Sequence, residues 1–283
     1  MKMDHPAYAI ETRGLDYAYP QGAKALEQIN LQVLSGQMVA LLGANGSGKT
    51  TLIKILAGLL KPARGMVKIL GERPGKDLHN KIGLVFQNPQ DQLFESTVEE
   101  DVAFGPRNLG LDEAEVQRRV HSALESVGAS ALCRRSIHHL SLGEQKRVAI
   151  AGILAMEPGI LMLDEPTAGL DPAGEIRMIT LLQRLNREKS ITVLMATHAV
   201  DLLPLFADRI MVMHKGLKKA EGAPAEIFSN ARMLEETGLR PPYIVELFQA
   251  LENFSGPAPL TIREAKERML EFMMPRKSSG GKS

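Results

Sequence analysis

The chain has 283 residues, 44% of them hydrophobic and 24% charged, and 34 basic against 33 acidic side chains leave a formal net charge of +1. That size and balance suit one large domain, or a domain with an appendix, around a buried core. They exclude the broad basic footprint of a general nucleic-acid binder, and no apolar run approaches the ~18 residues that a membrane span requires.

Cys133 is the single cysteine, so no internal disulfide can form and a cytosolic address is expected. The opening MKMDHPAYAIETRG lacks the apolar core of a signal peptide. Leu26 to Val33 and Met38 to Leu42 then read as strands, the second short, apolar and ended by Gly43. Lys49 to Leu60 reads as a helix closed by Lys61-Pro62, and Met66 to Leu70 and Ile82 to Phe86 as further short strands. From Thr97 to Met156 the pattern is helical. Asp112 with Glu115 makes a capping-box start, followed by Val116, Val120, Ala123, Leu124 and Val127 on one face. Strands return at Ile160 to Leu163, Ile191 to Ala196 and Ile210 to Met213, with a helix around Glu175 to Arg187. The expectation is one α/β core with a helical insertion near 95–158.

Beyond Gly222 strand signals stop, and three short helices are expected, broken at Pro241-Pro242 and at Ser255 to Pro259. The last starts with Thr261 and Glu264 and carries Ile262, Ala265, Met269 and Met273 on one face. Such a stripe packs on the protein's own core or forms a subunit contact. The tail Arg276 to Ser283 is Ser, Gly and Lys and is expected to be disordered.

Gly43-Ala44-Asn45-Gly46-Ser47-Gly48-Lys49-Thr50 matches the phosphate-loop pattern G-x-x-x-x-G-K followed by Ser or Thr in full, between a strand and a helix. Its glycines let backbone N–H groups curl around phosphate oxygens, and the helix N-terminus adds a favourable dipole. Lys49 can reach β- and γ-phosphates, and the Thr50 hydroxyl can ligate Mg²⁺. The apolar strand Ile160 to Leu163 delivers Asp164, suited to a Mg²⁺ shell, and beside it Glu165, placed to polarise an attacking water. Alone, that is any strand ending in an acidic turn; the phosphate loop changes the reading. Gln87 and His198 each follow another apolar strand. In a parallel sheet such ends share one crevice, so both are candidates to face the γ-phosphate.

This ordered set resembles the ATP-binding cassette of ABC transporters over roughly residues 8–225, with the cassette domain expected at 8–222. The resemblance implies a RecA-like P-loop NTPase fold with a helical insertion and a small, mainly helical C-terminal extension over 223–275 that helps pair two subunits. It makes Tyr19 the aromatic that stacks on adenine, and Gly43 to Thr50, with Thr51 following, the Walker A loop. Gln87 becomes the Q-loop, a Mg²⁺ neighbour, and Leu140 to Glu144 the signature. Asp164-Glu165 ends Walker B, Ala168 to Asp171 is the D-loop, and His198 the switch histidine. ATP would be held between two chains, Lys49 of one facing Ser141 and Gly143 of the other. The signature departs from the common LSGGQ at Leu142 and Glu144, which puts Glu144's contribution beside a triphosphate in question.

Val85 to Gly110, with its NPQDQLF segment, is similar to the ATPase subunits of energy-coupling factor importers, above all those for cobalt. The likeness implies a partner ATPase (a second copy of this chain), a transmembrane coupling subunit and a substrate-binding membrane component. The chain itself would sit peripherally on the cytoplasmic face of the membrane. A nickel or vitamin importer is the alternative, as is a conventional importer served by a soluble binding protein, which typically lacks NPQDQLF. A DNA-maintenance ATPase would need a long coiled coil between the motifs, a translation factor a second cassette, and a GTPase or kinase would leave Leu140 to Glu144 unexplained. His121, Cys133, His138 and His139 lack ligand spacing, so transported metal is expected to cross in the membrane partner.

Overall fold

The computed structural model describes residues 8–75, 80–251, 254 and 256–273. An antiparallel pair opens the chain, β1 (Tyr8–Ala18) and β2 (Lys24–Leu34), followed by β3 (Met38–Leu42), α1 (Lys49–Leu56), β4 (Arg64–Ile69) and β5 (Ile82–Val85). Three helices come next, α2 (Val98–Asn108), α3 (Glu113–Ser126) and α4 (Leu142–Leu154). Then follow β6 (Ile160–Asp164), α5 (Pro172–Lys189), β7 (Thr192–Thr197), α6 (Leu203–Phe206), β8 (Arg209–His214) and β9 (Leu217–Gly222). Four helices end the described chain: α7 (Pro224–Ser229), α8 (Ala231–Thr237), α9 (Tyr243–Gln249) and α10 (Ile262–Met273).

The main sheet has the order β5-β6-β7-β3-β8-β9, parallel except for the β8–β9 hairpin. A second, antiparallel sheet, β2-β1-β4, faces it. Helix α1 lies between the two, with Leu52, Ile53, Ile55 and Leu56 in the core shared by β1, β2, β3 and β6. The opposite face of the main sheet packs the helical insertion, α5 and residues of α7 to α9 into the other core. Strands β3 and β6 are buried along their whole length because both faces are covered. That burial reads in sequence as the unbroken apolar runs MVALL and ILML, each large side chain contributing roughly 1.5–3 kcal/mol.

Helix α1 stops at Leu56 rather than Leu60. Gly58, at φ +79°, takes the left-handed position, and its N–H and that of Leu59 bond the carbonyls of Ile55 and Lys54. Strand β1 was not expected because bulges break its alternation, nor β9, a polar edge strand, LKKAEG, without an apolar face. The last segment has four helices instead of three. Asn230 ends α7 and caps α8, its side chain accepting the Met233 N–H at 3.1 Å.

On α10, Ala265 is buried against the chain, whereas Ile262 and Met269 are 82% and 45% exposed, so the stripe packs on the chain at Ala265 only and leaves Ile262 and Met269 uncovered. The Met273 side chain, the tail Arg276 to Ser283 and the first seven residues lie outside the described residues. Asp201, just after β7, ties the last segment down: it accepts from Arg240 and from the Tyr243 N–H at 2.8 Å, with the Arg240 guanidinium 3.6 Å over the Tyr243 ring.

Candidate active site

Because β5, β6, β7 and β3 are parallel neighbours, their C-terminal ends share one edge of the sheet. That edge presents Gln87, Asp164-Glu165, His198 and the loop from Gly43. A cleft of about 360 Å³ there is lined by Tyr19, Asn45 to Thr51, Gln87, Glu165 and His198. Gly43 and Ala44 sit behind it, their carbonyls accepting from Lys49 Nζ at 2.7 and 3.2 Å.

Two glycines of the loop are steric necessities. A Cβ on Gly48, the first cap of α1 at φ +104°, would lie 2.7 Å from the Ala25 carbonyl oxygen; one on Gly43 would lie 2.4 Å from that of Met213. Tyr19 meets Tyr17 edge to face at 5.1 Å, and its hydroxyl is 3.0 Å from Thr51 Oγ1.

Glu165 is the most constrained residue of the site. It is buried, and its φ of +50° is one that only glycine adopts without strain, at roughly 1–2 kcal/mol for other residues. The kink turns the carboxylate back into the cleft, with one oxygen 3.7 Å from Lys49 Nζ and the other 2.9 Å from His198 Nδ1. The His198 ring itself is largely exposed.

Asp164 is equally buried. Burial pushes its carboxyl toward holding a proton; the Thr50 hydroxyl opposes this, Glu165 adds to it and Lys49 offsets it. Of the buried side-chain polar atoms without a hydrogen-bond partner among the described residues, three are here: Ser47 Oγ, Asp164 Oδ1 and Glu165 Oε1. Each such group costs about 1–3 kcal/mol. A glycine-rich loop with an unpaired buried hydroxyl, beside carboxylate oxygens lacking donors, suits an anionic phosphate chain carrying a divalent cation. The residues therefore fit ATP with Mg²⁺.

Ser141, Gly143 and Glu144 do not join this cleft. They line a separate hollow of about 890 Å³ with Gly169, Leu170, Asp171 and Arg147. Ser141 caps α4, and Glu144 completes a capping box: its carboxylate accepts from the Ser141 N–H and hydroxyl, both at 2.8 Å. Those bonds, the backbone one foremost, hold the Glu144 carboxyl below the usual carboxylate range, helped by Arg135 and Arg147. Leu142 rests on the D-loop, where a Cβ on Gly169 would come within 3.0 Å of its Cδ2. Both departures from the common signature thus have structural partners.

Glutamine can accept the same capping bonds without a charge. In an ATP site shared between two copies, the reading proposed below, Glu144→Gln is expected to tighten ATP-driven association about two- to fourfold at low salt, an advantage that shrinks as salt is added. Weaker association, or a gain insensitive to salt, contradicts repulsion between Glu144 and triphosphate.

Sequence reasoning misses three residues that build the site. Gln92 links the end of β5 to α4, accepting from the Phe86 N–H and donating to the Ala149 carbonyl, both at 3.2 Å. Asp101, buried, accepts the N–H groups of Phe94 and Glu95 and so shapes the NPQDQLF segment. Lys146, on α4, is only 3% exposed. Nothing in their one-dimensional pattern distinguishes them from surface polar residues.

A family model described as ABC transporter matches residues 26–168. The energy-coupling factor transporter ATP-binding protein EcfA of Methanothermobacter thermautotrophicus is 49% identical over 272 residues, 93% of this chain and 87% of that protein. Among solved structures, cbiO1 of Clostridium perfringens, described as part of the ABC transporter complex cbiONQ, has a TM-score of 0.76 at 40% identity, covering 86% of this chain and all of that one. A dimeric, post-hydrolysis ATP-binding cassette bound to ADP and Pi has a TM-score of 0.69 at 29% identity, covering 76% and 98%.

Proposed function

The chain belongs to the ABC transporter family of ATP-hydrolysing cassettes, and from that we propose that it is the motor of an energy-coupling factor importer for cobalt ions. It would work as a pair of identical subunits on the cytoplasmic face of the membrane, joined to a transmembrane coupling subunit and a substrate-binding membrane component. The observation that carries the paired reading is the separation of two half-sites on one chain. Lys49, Glu165 and His198 line one cleft, Ser141 and Gly143 another. A γ-phosphate needs donors all round it, and neither half supplies them alone. The exposed face of α10 in the 223–275 extension is offered as a further contact between the two copies.

In this reading Tyr19 stacks on adenine and the loop from Gly43 to Thr50, with Thr51, holds the phosphates. Thr50, Gln87 and Asp164 would hold Mg²⁺, which when bound neutralises phosphate charge and polarises the γ-phosphate. Lys49 turns from Glu165 toward the phosphates, freeing the carboxylate to take a proton from the attacking water. His198 orients that carboxylate through Nδ1. The partner's Ser141 hydroxyl and Gly143 N–H close the far side with the dipole of α4.

Support for the membrane partner comes from an apolar groove that Gln92 helps to line. Phe94 and Phe104, edge to face at 4.6 Å, are 63% and 42% exposed, next to Gln92, Asp101 and Met156. Aromatic pairs of this kind anchor protein interfaces. Phe94→Ala is expected to keep the chain's own ATPase activity and to weaken co-purification with the coupling subunit about tenfold; unchanged retention would remove the groove from the interface.

Reconstituting the chain with its neighbouring membrane subunits in vesicles tests the function as a whole. ATP-dependent uptake of radioactive cobalt is the expected result. Uptake of nickel or a vitamin instead reassigns the solute, and dependence on an added soluble binding protein reassigns the importer class.

A further inference from the structure

Lys146 carries no role in the reaction as described so far, yet it is one of the most deeply buried charges in the protein. It lies on α4, little more than one turn beyond the Ser141 cap. Its ammonium donates to the carbonyl of Glu165 at 3.3 Å and to that of Pro166 at 3.0 Å. No ion pair among the described residues includes it. Moving an ammonium out of water costs several kcal/mol, and a well-packed apolar side chain of similar length would avoid that cost. Stability alone therefore does not account for a cation at this place.

What the cation touches does account for it. Glu165 is held in a left-handed backbone conformation, and such a conformation persists only where its surroundings over-determine it. On one side the Glu165 N–H is fixed to the Ala196 carbonyl at 3.0 Å. On the other, Lys146 joins two successive carbonyls, those of Glu165 and Pro166, the first of which also accepts from the Ala168 N–H at 3.1 Å. We propose that Lys146 is a positioning residue for hydrolysis: it clamps the Glu165-Pro166 turn to the signature helix and so fixes where the Glu165 carboxylate stands. Because α4 begins at Ser141, which faces the partner's nucleotide, the clamp also ties the chain's hydrolytic carboxylate to the helix that contacts the second ATP. The inference rests on Glu165 acting as the base.

The test uses the full-length chain with Lys146→Met, alone and combined with Glu165→Gln. Lys146→Met is expected to lower single-turnover hydrolysis roughly 30- to 100-fold, as a misplaced catalytic group does. Binding of a fluorescent ATP analogue is expected to stay within about threefold of the parent, with no fall in Tm. In the Glu165→Gln background the methionine should add less than about threefold, because two residues acting through one carboxylate are not additive.

Near-normal turnover in Lys146→Met overturns the proposal. So does a full, additive loss in the double variant, or a loss of turnover that merely follows lost ATP binding and lowered Tm. Should the methionine variant not fold, Lys146→Gln, better matched to a site rimmed by carbonyls, is judged by the same criteria. If neither folds, the lysine serves folding and the proposal falls. Near-normal turnover in Glu165→Gln alone would instead remove the base assignment itself, so the two failures are distinguishable.

Discussion

Glu165→Gln is expected to leave ATP binding nearly intact and to slow hydrolysis by about 10²-fold or more. Glutamine keeps the shape of the side chain and its place beside His198 Nδ1, which stands 2.9 Å from the carboxylate. It cannot take a proton from water. Loss of the charge also releases Lys49, whose ammonium lies 3.7 Å from Glu165, so affinity for the triphosphate should hold or rise slightly. The variant is therefore expected to accumulate as an ATP-bound dimer, seen by gel filtration with ATP and Mg²⁺, while a single-turnover assay shows little phosphate release. Near-normal turnover would transfer the base role elsewhere and leave the buried, strained carboxylate without a chemical purpose.

The parts of this site that sequence displays are those whose chemistry is tied to fixed spacing on the chain. Gly43 to Thr50 is one such part: the turn tolerates no Cβ at Gly43 or Gly48, and Lys49 must follow at once to reach back over the loop. Asp164 and His198 are others, because a buried parallel strand can deliver a polar residue only at its end. Glu144 shows the opposite case. Compared with the common signature it is an acid in an awkward place, whereas at the third position after a serine cap it is the ordinary capping-box partner.

Lys146 is hidden for a different reason. Its burial depends on the Glu165-Pro166 turn arriving from 19 residues away, a contact that helical periodicity does not encode. Two strands of the antiparallel sheet, β2 and β4, are read from the sequence, but β1 between them escapes because its bulges scramble its alternation, and β9 because an edge strand has no need of an apolar face. The extra break between α7 and α8 rests on one asparagine that serves as two caps.

The division of the ATP site between two copies carries the account. Lys49→Ala removes the phosphate-binding cation from one half, and Ser141→Arg fills the other with a bulky charge; each variant alone is expected to lose activity by about 10²-fold or more. In a mixed dimer the intact Lys49 of one chain meets the intact Ser141 of the other, restoring one complete site while the opposite site carries both lesions. The direct measurement is ATPase activity of the two variants mixed in equal amounts, against each alone at the same total concentration. A mixture roughly tenfold or more above either parent is the result predicted for a shared site. A mixture as inactive as its parents, with dimers still forming, would contradict it.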